Sequence, residues 1–398
     1  VIDGLLAAGF KVAHLARGGR FKNEDIPPEW TGKPIKLFTP PNDDANGYRY
    51  LGYLLDVELE FEKIDCIFYI ADPESIRGWR SNVQARAIDV SKPMPTVTYG
   101  PTEGGPLLKP DSTCLSEIIA TGGVVSTYTQ FSADVMTSAI KRAFVKGAEI
   151  PDFQIRIIPH GADHAKFRVL PKSTRESIRN KFQWNDKIVV MGVARNGGRK
   201  MWPNLFKAIA LLKDQYPNIV LYAHTTPFEG FFLGGHNLPE IAANLEITNH
   251  VIYPDHIPDP WHGVPYENLI AAYNAADLFV SNSGCEGWNL CVSEAAACGL
   301  PVACTAYSGM WEQAQDYAIP MTPDAWVTHS CGSDMAVVTP EQIAQVIEHY
   351  LVLCPEDAKP HIQRGLEVAS RQTWKSLMDA APIMVQDAIN NSAATTRD

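Results

Sequence analysis

The sequence predicts an α/β protein of two domains, each a doubly wound parallel sheet. Three observations predict it. At 398 residues the chain exceeds the roughly 250 to 300 residues at which a single hydrophobic core stops growing. Short apolar runs rich in β-branched residues alternate with helical patterns, as parallel strands joined by crossover helices require. The alternation occurs twice, interrupted by a Pro- and Gly-containing crossing that ends near Pro171.

In the first half, residues 1–9 read as the end of a helix. Strands are predicted at 11–17, 33–39, 65–71, 94–99, 124–128 and 154–159, and helices at 48–63, 74–90, 113–121 and 130–143. The second half starts with a helix in 171–185. A strand at 187–194, a helix at 204–216, a strand at 218–225, a helix at 238–247, a strand at 250–254 and a helix at 265–276 follow. The apolar strand 277–283 leads through Glu286 into a helix of small residues, 293–299, and Gly299-Leu300-Pro301 ends that helix and opens another strand. An amphipathic helix is predicted at 340–353, and Thr373-Trp374 starts a last one reaching about residue 390.

A net charge of −11 with no long basic run lacks the electrostatic footprint of a nucleic-acid binder. The strongest basic group, Lys141, Arg142 and Lys146, reads as a solvated helix face. No run approaches the roughly 18 apolar residues of a membrane span, and no signal peptide is visible, so a cytoplasmic protein without a transmembrane segment is expected. Eight cysteines without a C-x-x-C pair read as reduced, mostly buried thiols. Two histidine groups, His160 and His164 with Asp163, and His250, His256 and His262 with Asp255 and Asp259, fall in loop-like sequence rather than on one helix face. No metal is expected.

The chemistry concentrates at two strand-to-helix turns. In the first, Glu286 and Glu294 flank the turn, and the backbone of Gly287, Trp288, Asn289 and Leu290 meets a helix N-terminus, whose free N–H groups suit a phosphate. Carboxylates beside a phosphate are better matched to sugar hydroxyls. In the second, Arg195 and Lys200 follow the strand 187–194, and two fixed cations at a strand's C-terminal end suit a diphosphate. Arg199 is a third cation in the same loop.

These elements resemble the E-x7-E and R-x4-K motifs of family-four retaining glycosyltransferases of the GT-B fold, strongly over 154–312 and by pattern before it. The resemblance implies two Rossmann-like domains facing a cleft. They would span 1–165, an acceptor-side domain, and 166–372, the nucleotide-sugar domain, with helix 373–391 packing back on the first. Chains of this family begin one strand and one glycine-rich loop earlier, so the first strand of the N-terminal domain is expected to be missing. Glu286 would contact the transferred sugar and act in catalysis with Arg195 and Lys200. Arg195, Lys200, the 287–290 backbone and Glu294 would hold the donor, Glu294 at its ribose. No cofactor is implied beyond the donor substrate itself.

The implied activity is transfer of a hexose from a nucleotide diphosphate sugar to a sugar, lipid-linked or protein hydroxyl, independent of metal. The Gly- and Pro-rich loop 99–106 is a candidate acceptor-side loop. Two departures stand out. His160 replaces the family's usual Asn at the crossing, and Gly287-Trp288-Asn289-Leu290-Cys291 stands where Gly-Phe-Gly-Leu-Pro is usual; Asn tolerates the left-handed backbone that glycine permits. Other readings are a GT-B nucleotide-sugar epimerase or hydrolase, and a non-catalytic nucleotide-sugar or glycan binder. A nicotinamide dehydrogenase would need G-x-G-x-x-G after a strand; none of the predicted strands is followed by one, a test that does not extend to the first strand expected to be missing.

Overall fold

The computed structural model describes residues 1–15, 28–38, 63–84, 94–144, 150, 152–229, 234–255, 264–329 and 332–395. Helix 48–63, the end of helix 74–90, Cys331, and His256, Asp259 and His262 therefore fall outside the described residues, apart from Lys63 and the part of the second helix up to Gln84. The chain packs as two compact units. One comprises Val1–Thr102, Pro106–Pro159 and Lys375–Asp398, and the other Glu103–Gly105 and His160–Trp374.

In the first unit, α1 (Ile2–Ala7) leads to β1 (Val12–Leu15), which pairs in parallel with β2 (Ile35–Phe38). Then come β3 (Ile67–Ile70), α2 (Pro73–Gln84), β4 (Thr96–Tyr99), α3 (Lys109–Ala120), β5 (Val124–Thr127), α4 (Gln130–Ala143) and β6 (Arg156–Ile157). These four strands form one parallel sheet in the order β3-β4-β5-β6. β4 and β5 are buried along their whole length, as expected of strands covered on both faces. Ser126 Oγ in β5 donates to the Thr98 carbonyl of β4 at 2.6 Å. Helix α4 starts where Thr129 accepts a hydrogen bond from the Ser132 N–H, and Lys141 and Arg142 lie in its last turn, complementing the helix dipole.

The C-terminal helix, Lys375–Thr395, belongs to this unit. It lies so close to α1 that a Cβ on Gly4 would fall 2.1 Å from the Met378 carbonyl oxygen. Its other end is fastened by Ser392 Oγ, which donates to the Thr121 carbonyl, and by the Arg156–Asp387 ion pair.

The second unit runs α5 (Lys172–Phe182), β7 (Ile188–Val193), α6 (Trp202–Leu212), β8 (Ile219–His224), α7 (Leu238–Asn244), β9 (Val251–Ile252), α8 (Tyr266–Ala275), β10 (Leu278–Ser281), α9 (Leu290–Ala297) and β11 (Val302–Thr305). It continues through α10 (Ser308–Ala314), β12 (Ile319–Met321), β13 (Ala325–Thr328), β14 (Asp334–Val337), α11 (Pro340–Glu348) and α12 (Ala358–Arg371). Six parallel strands order as β12-β11-β10-β7-β8-β9. Alternation along the strands divides the core, with Val189, Met191, Phe279 and Val302 packing on one face and Val190, Leu221, Leu278 and Ala303 on the other. The order reverses between β7 and β10, so their connections leave in opposite directions and open a crevice beyond their C-terminal ends.

Three local differences from the sequence reading have physical causes. Helix α9 begins at Leu290 rather than 293, because Asn289 takes the left-handed conformation at φ +75° and turns the chain into the helix early. The helix expected at 340–353 stops at Glu348 and passes into a wider turn, His349–Leu353. Pro355 keeps Cys354 out of the helical region, at φ −138° and ψ 61°. β13 pairs antiparallel with β14, Ala325 facing Val337 and Thr328 facing Asp334, where the sequence reading placed no element. The seven described cysteines are free thiols, and no described helix is long and apolar enough to cross a membrane.

Candidate functional site

The site lies in the second unit, where β7 and β10 diverge. The loop after β7 closes in a short 3-10 turn, Gly198–Lys200, and Met201, at φ +50°, redirects the chain into α6. This turn places Lys200 and Arg199 together. Both reach across to Glu286 in the loop after β10, Arg199 Nη1 at 2.6 Å from one carboxylate oxygen and Lys200 Nζ on the other. The Ser283 hydroxyl donates to the Lys200-bound oxygen at 2.7 Å. Arg199 also pairs with Glu103 and donates to the Cys285 carbonyl at 3.0 Å.

Glu286 is 5% exposed. Burial alone would raise its carboxyl, but Lys200 and Arg199, with the Lys200 and Ser283 hydrogen bonds, override that and hold it at about 2. It is a buried carboxylate kept ionised. Its backbone is fixed as well: the Ser308 hydroxyl accepts from the Glu286 N–H at 2.9 Å and donates to the Glu286 carbonyl at 3.0 Å.

Asn289 and Ser308 both take positive φ, as does Met201; these are three of the five described non-glycine residues to do so. Such strain costs on the order of 1 to 3 kcal/mol per residue and persists where the surroundings over-determine it. At Gly309 only a glycine fits, since a Cβ there would come 2.1 Å from the Gly287 carbonyl oxygen. Among the described residues, the N–H groups of Gly287, Trp288, Asn289, Leu290 and Cys291 donate to no acceptor. They stand at the N-terminus of α9, where the helix dipole adds positive potential. The Trp288 ring is turned inward and donates to Ser293 Oγ at 3.2 Å. The Asn289 amide is turned onto Ser281 Oγ at 2.9 Å.

Glu294 lies one turn inside α9, where the Tyr273 hydroxyl donates to it at 3.0 Å. Burial raises its carboxyl above the ordinary value, with Tyr273 opposing. Among the described residues no Lys or Arg pairs with it.

The structure thus brings Lys200 and Glu286 together and sets the 287–290 loop beside them. It does not bring Arg195 to them: Arg195 is 59% exposed and pairs with Glu229, whose side chain is 5% exposed. Arg199 occupies the position beside Glu286, because the 3-10 turn rotates residues 199 and 200 toward β10 while Arg195 stays at the end of β7. Sequence reasoning missed Ser283, Ser308 and Tyr273. Ser308 carried a signal, a Ser-Gly pair directly after a strand; the other two are joined to the glutamates only by packing.

The histidines of the crossing do not assemble a metal site. His164 Nε2 bonds the Gln372 carbonyl at 3.1 Å. The His160 ring lies against Trp288 and Trp374, and burial lowers it to about 4, uncharged at neutral pH.

Residues 174–349 match the family model described as Glycosyl transferases group 1. Among characterised proteins, the chain is 27% identical over 168 residues to a mannosylfructose-phosphate synthase of Agrobacterium fabrum, covering 39% of this chain and 34% of that one. It is 27% identical over 197 residues to a GDP-mannose-dependent alpha-(1-6)-phosphatidylinositol monomannoside mannosyltransferase of Mycolicibacterium smegmatis, covering 46% and 47%. The chain therefore spans between a third and a half of these relatives. Among solved structures, a sucrose-phosphate synthase from Thermosynechococcus elongatus superposes with a TM-score of 0.67 at 14% identity, covering 98% of this chain and 91% of that one. HepE of Anabaena, solved in complex with UDP and glucose, gives 0.65 at 14% identity, covering 97% and 94%. The matched residues 174–349 lie within the second unit, and the chain shares the GT-B fold of these solved structures.

Proposed function

We propose that this chain, whose residues 174–349 match the glycosyl transferases group 1 model, is a retaining glycosyltransferase. It moves a hexose from a nucleotide diphosphate sugar to a hydroxyl of a sugar, lipid-linked or protein acceptor. The observation that carries the reading is Glu286, a buried carboxylate kept ionised by Lys200 and Arg199 beside a helix N-terminus whose N–H groups meet no acceptor among the described residues.

Transfer makes the departing diphosphate more negative. Lys200 and the 287–290 backbone would meet that charge, while Arg195 stays paired with Glu229; a Lys ammonium with three donors can bind a phosphate oxygen while keeping Glu286. Glu286 would position the sugar and stabilise positive charge developing at the anomeric carbon. Glu294, a carboxyl partnered by a hydroxyl and by no described cation, suits the ribose hydroxyls. No metal ion is required, because fixed cations and N–H groups supply the positive potential. The names of the relatives support this reading, one being GDP-mannose-dependent, as does the shared fold with HepE, which was solved with UDP and glucose.

The test is a donor screen, with each common nucleotide sugar incubated with and without candidate acceptors in the presence of EDTA. The expected result is nucleotide release that depends on an acceptor and survives EDTA. Release or epimerisation from donor alone would favour an epimerase or hydrolase. Binding without turnover would leave a non-catalytic binder, and activity restored only by manganese or magnesium would overturn the metal-independent mechanism.

A further inference from the structure

Behind the 287–290 loop lies Gln313, on α10, 7% exposed. Its Nε2 donates to the Trp288 carbonyl at 3.2 Å and to the Asn289 carbonyl at 3.3 Å. Its Oε1 accepts from Ser293 Oγ at 3.0 Å and from the Tyr317 hydroxyl at 3.4 Å. Only this orientation of the amide satisfies the network, since two carbonyls face one end and two hydroxyls the other.

A trans peptide holds its C=O and N–H antiparallel. Pinning the carbonyls of residues 288 and 289 toward α10 therefore turns the N–H groups of Asn289 and Leu290 the opposite way. Those two groups are among the N–H donors that have no acceptor among the described residues. A carbonyl swung to that side would instead present negative charge to an anion. The arrangement also sustains the left-handed Asn289, at φ 75° and ψ 84°, a conformation costing roughly 1 to 2 kcal/mol for a residue with a Cβ.

We propose that Gln313 is a positioning residue that fixes the peptide orientation of the loop, so that Asn289 and Leu290 present their N–H groups to the diphosphate of a nucleotide sugar. This rests on the glycosyltransferase reading above. Gln313 acts through the loop and touches no substrate. Ser293 is the anchor of the same device, since its hydroxyl donates to Gln313 and accepts from the Trp288 indole. Gln372 Nε2 braces the Gln313 backbone carbonyl at 3.3 Å.

The experiment titrates UDP, GDP, uridine and guanosine into the wild-type chain, Gln313→Leu and Gln313→Glu, with folding checked by circular dichroism. Gln313→Leu keeps the size and removes the two donors. We expect it to weaken the bound diphosphate by about tenfold, as loss of two buried hydrogen bonds warrants, and the matching nucleoside by less than about twofold. Gln313→Glu, which sets an acceptor against the two carbonyls, should weaken the diphosphate further. Should Gln313→Leu fail to fold, Ser293→Ala, which removes the closer of the two hydroxyls on Oε1 and leaves Nε2 in place, should show the same selectivity with a loss of about threefold. Unchanged diphosphate affinity in a folded variant, or parallel loss of diphosphate and nucleoside, overturns the positioning role alone. Wild-type protein that binds neither diphosphate overturns the glycosyltransferase reading and this inference with it.

Discussion

Glu286 and Glu294 lie at the two ends of one strand-to-helix turn, both largely withdrawn from water, and their surroundings differ in kind. Around Glu286 the protein supplies two cations and a hydroxyl, and the carboxyl is driven down to about 2. Around Glu294 it supplies a tyrosine hydroxyl, and burial drives the carboxyl up. A charge compensated in advance can be lent to a developing cation without further desolvation cost. A carboxyl without a described counter-ion gains most from hydroxyl donors that a ligand would bring. On the glycosyltransferase reading the two acids would do different work, and the difference can be broken experimentally.

The largest expected effect is on turnover. Glu286→Gln should reduce the rate of sugar transfer by about a hundredfold or more, the scale on which removal of a preorganised electrostatic partner acts. It should also destabilise the fold, because Lys200 and Arg199 lose the acid they share, at 17% and 23% side-chain exposure. Initial rates and denaturant unfolding measure the two losses. A rate within about threefold of wild type would remove Glu286 from the chemistry.

Next in size is a contrast between cations. Lys200→Ala should weaken binding of a free nucleoside diphosphate by about ten- to a hundredfold, as loss of a charge-assisted hydrogen bond does. Arg195, exposed and held by Glu229, should cost only about threefold when changed to Ala. Isothermal titration of both variants decides it; a larger loss at Arg195 would mean that it leaves Glu229 and takes over the phosphate.

A smaller effect is the dependence of stability on pH, which should have opposite signs at the two glutamates. An unfolded glutamate titrates near 4.3. The Glu286 carboxyl is depressed below that, so its contribution is present above this range and is lost as the pH falls toward about 2. The Glu294 carboxyl is raised, so its contribution is present below about 4.3 and is lost as the pH rises through its folded value. Thermal unfolding across acid and neutral pH should therefore show Glu286→Gln lacking the acid-side loss and Glu294→Gln lacking the loss on raising pH. Curves of the same sign would show that the two environments are alike.

The parts of this arrangement that follow from local sequence were legible beforehand. β-Branched runs such as 188–193 and 219–224 named the buried parallel strands, and Asn289 could be recognised as a residue able to stand in for glycine. Lys200, Glu286 and Glu294 were marked by spacing around two turns. What could not be read was set by geometry across the sheet. Arg199, rather than Arg195, meets Glu286 because a 3-10 turn intervenes, and a sequence that reads Arg195-Asn196-Gly197-Gly198-Arg199-Lys200 contains both choices. Ser283, Tyr273 and Gln313 act through contacts made only when β10, α8 and α10 pack. The β13–β14 pair eluded the reading because β13 is exposed along its whole length and so lacks the alternation that marks a half-buried strand.

The most direct test of the division between the glutamates is calorimetry on Glu286→Gln and Glu294→Gln with free UDP and GDP, whichever the wild-type chain binds. Glu294→Gln should lose about tenfold in nucleotide affinity, since a charge-assisted hydrogen bond to a ribose hydroxyl becomes a neutral one. Glu286→Gln should bind the nucleotide at least as well as wild type, because Lys200 and Arg199 are then released toward the phosphates. Equal loss of nucleotide affinity in the two variants would contradict the assignment of Glu286 to the sugar and Glu294 to the ribose.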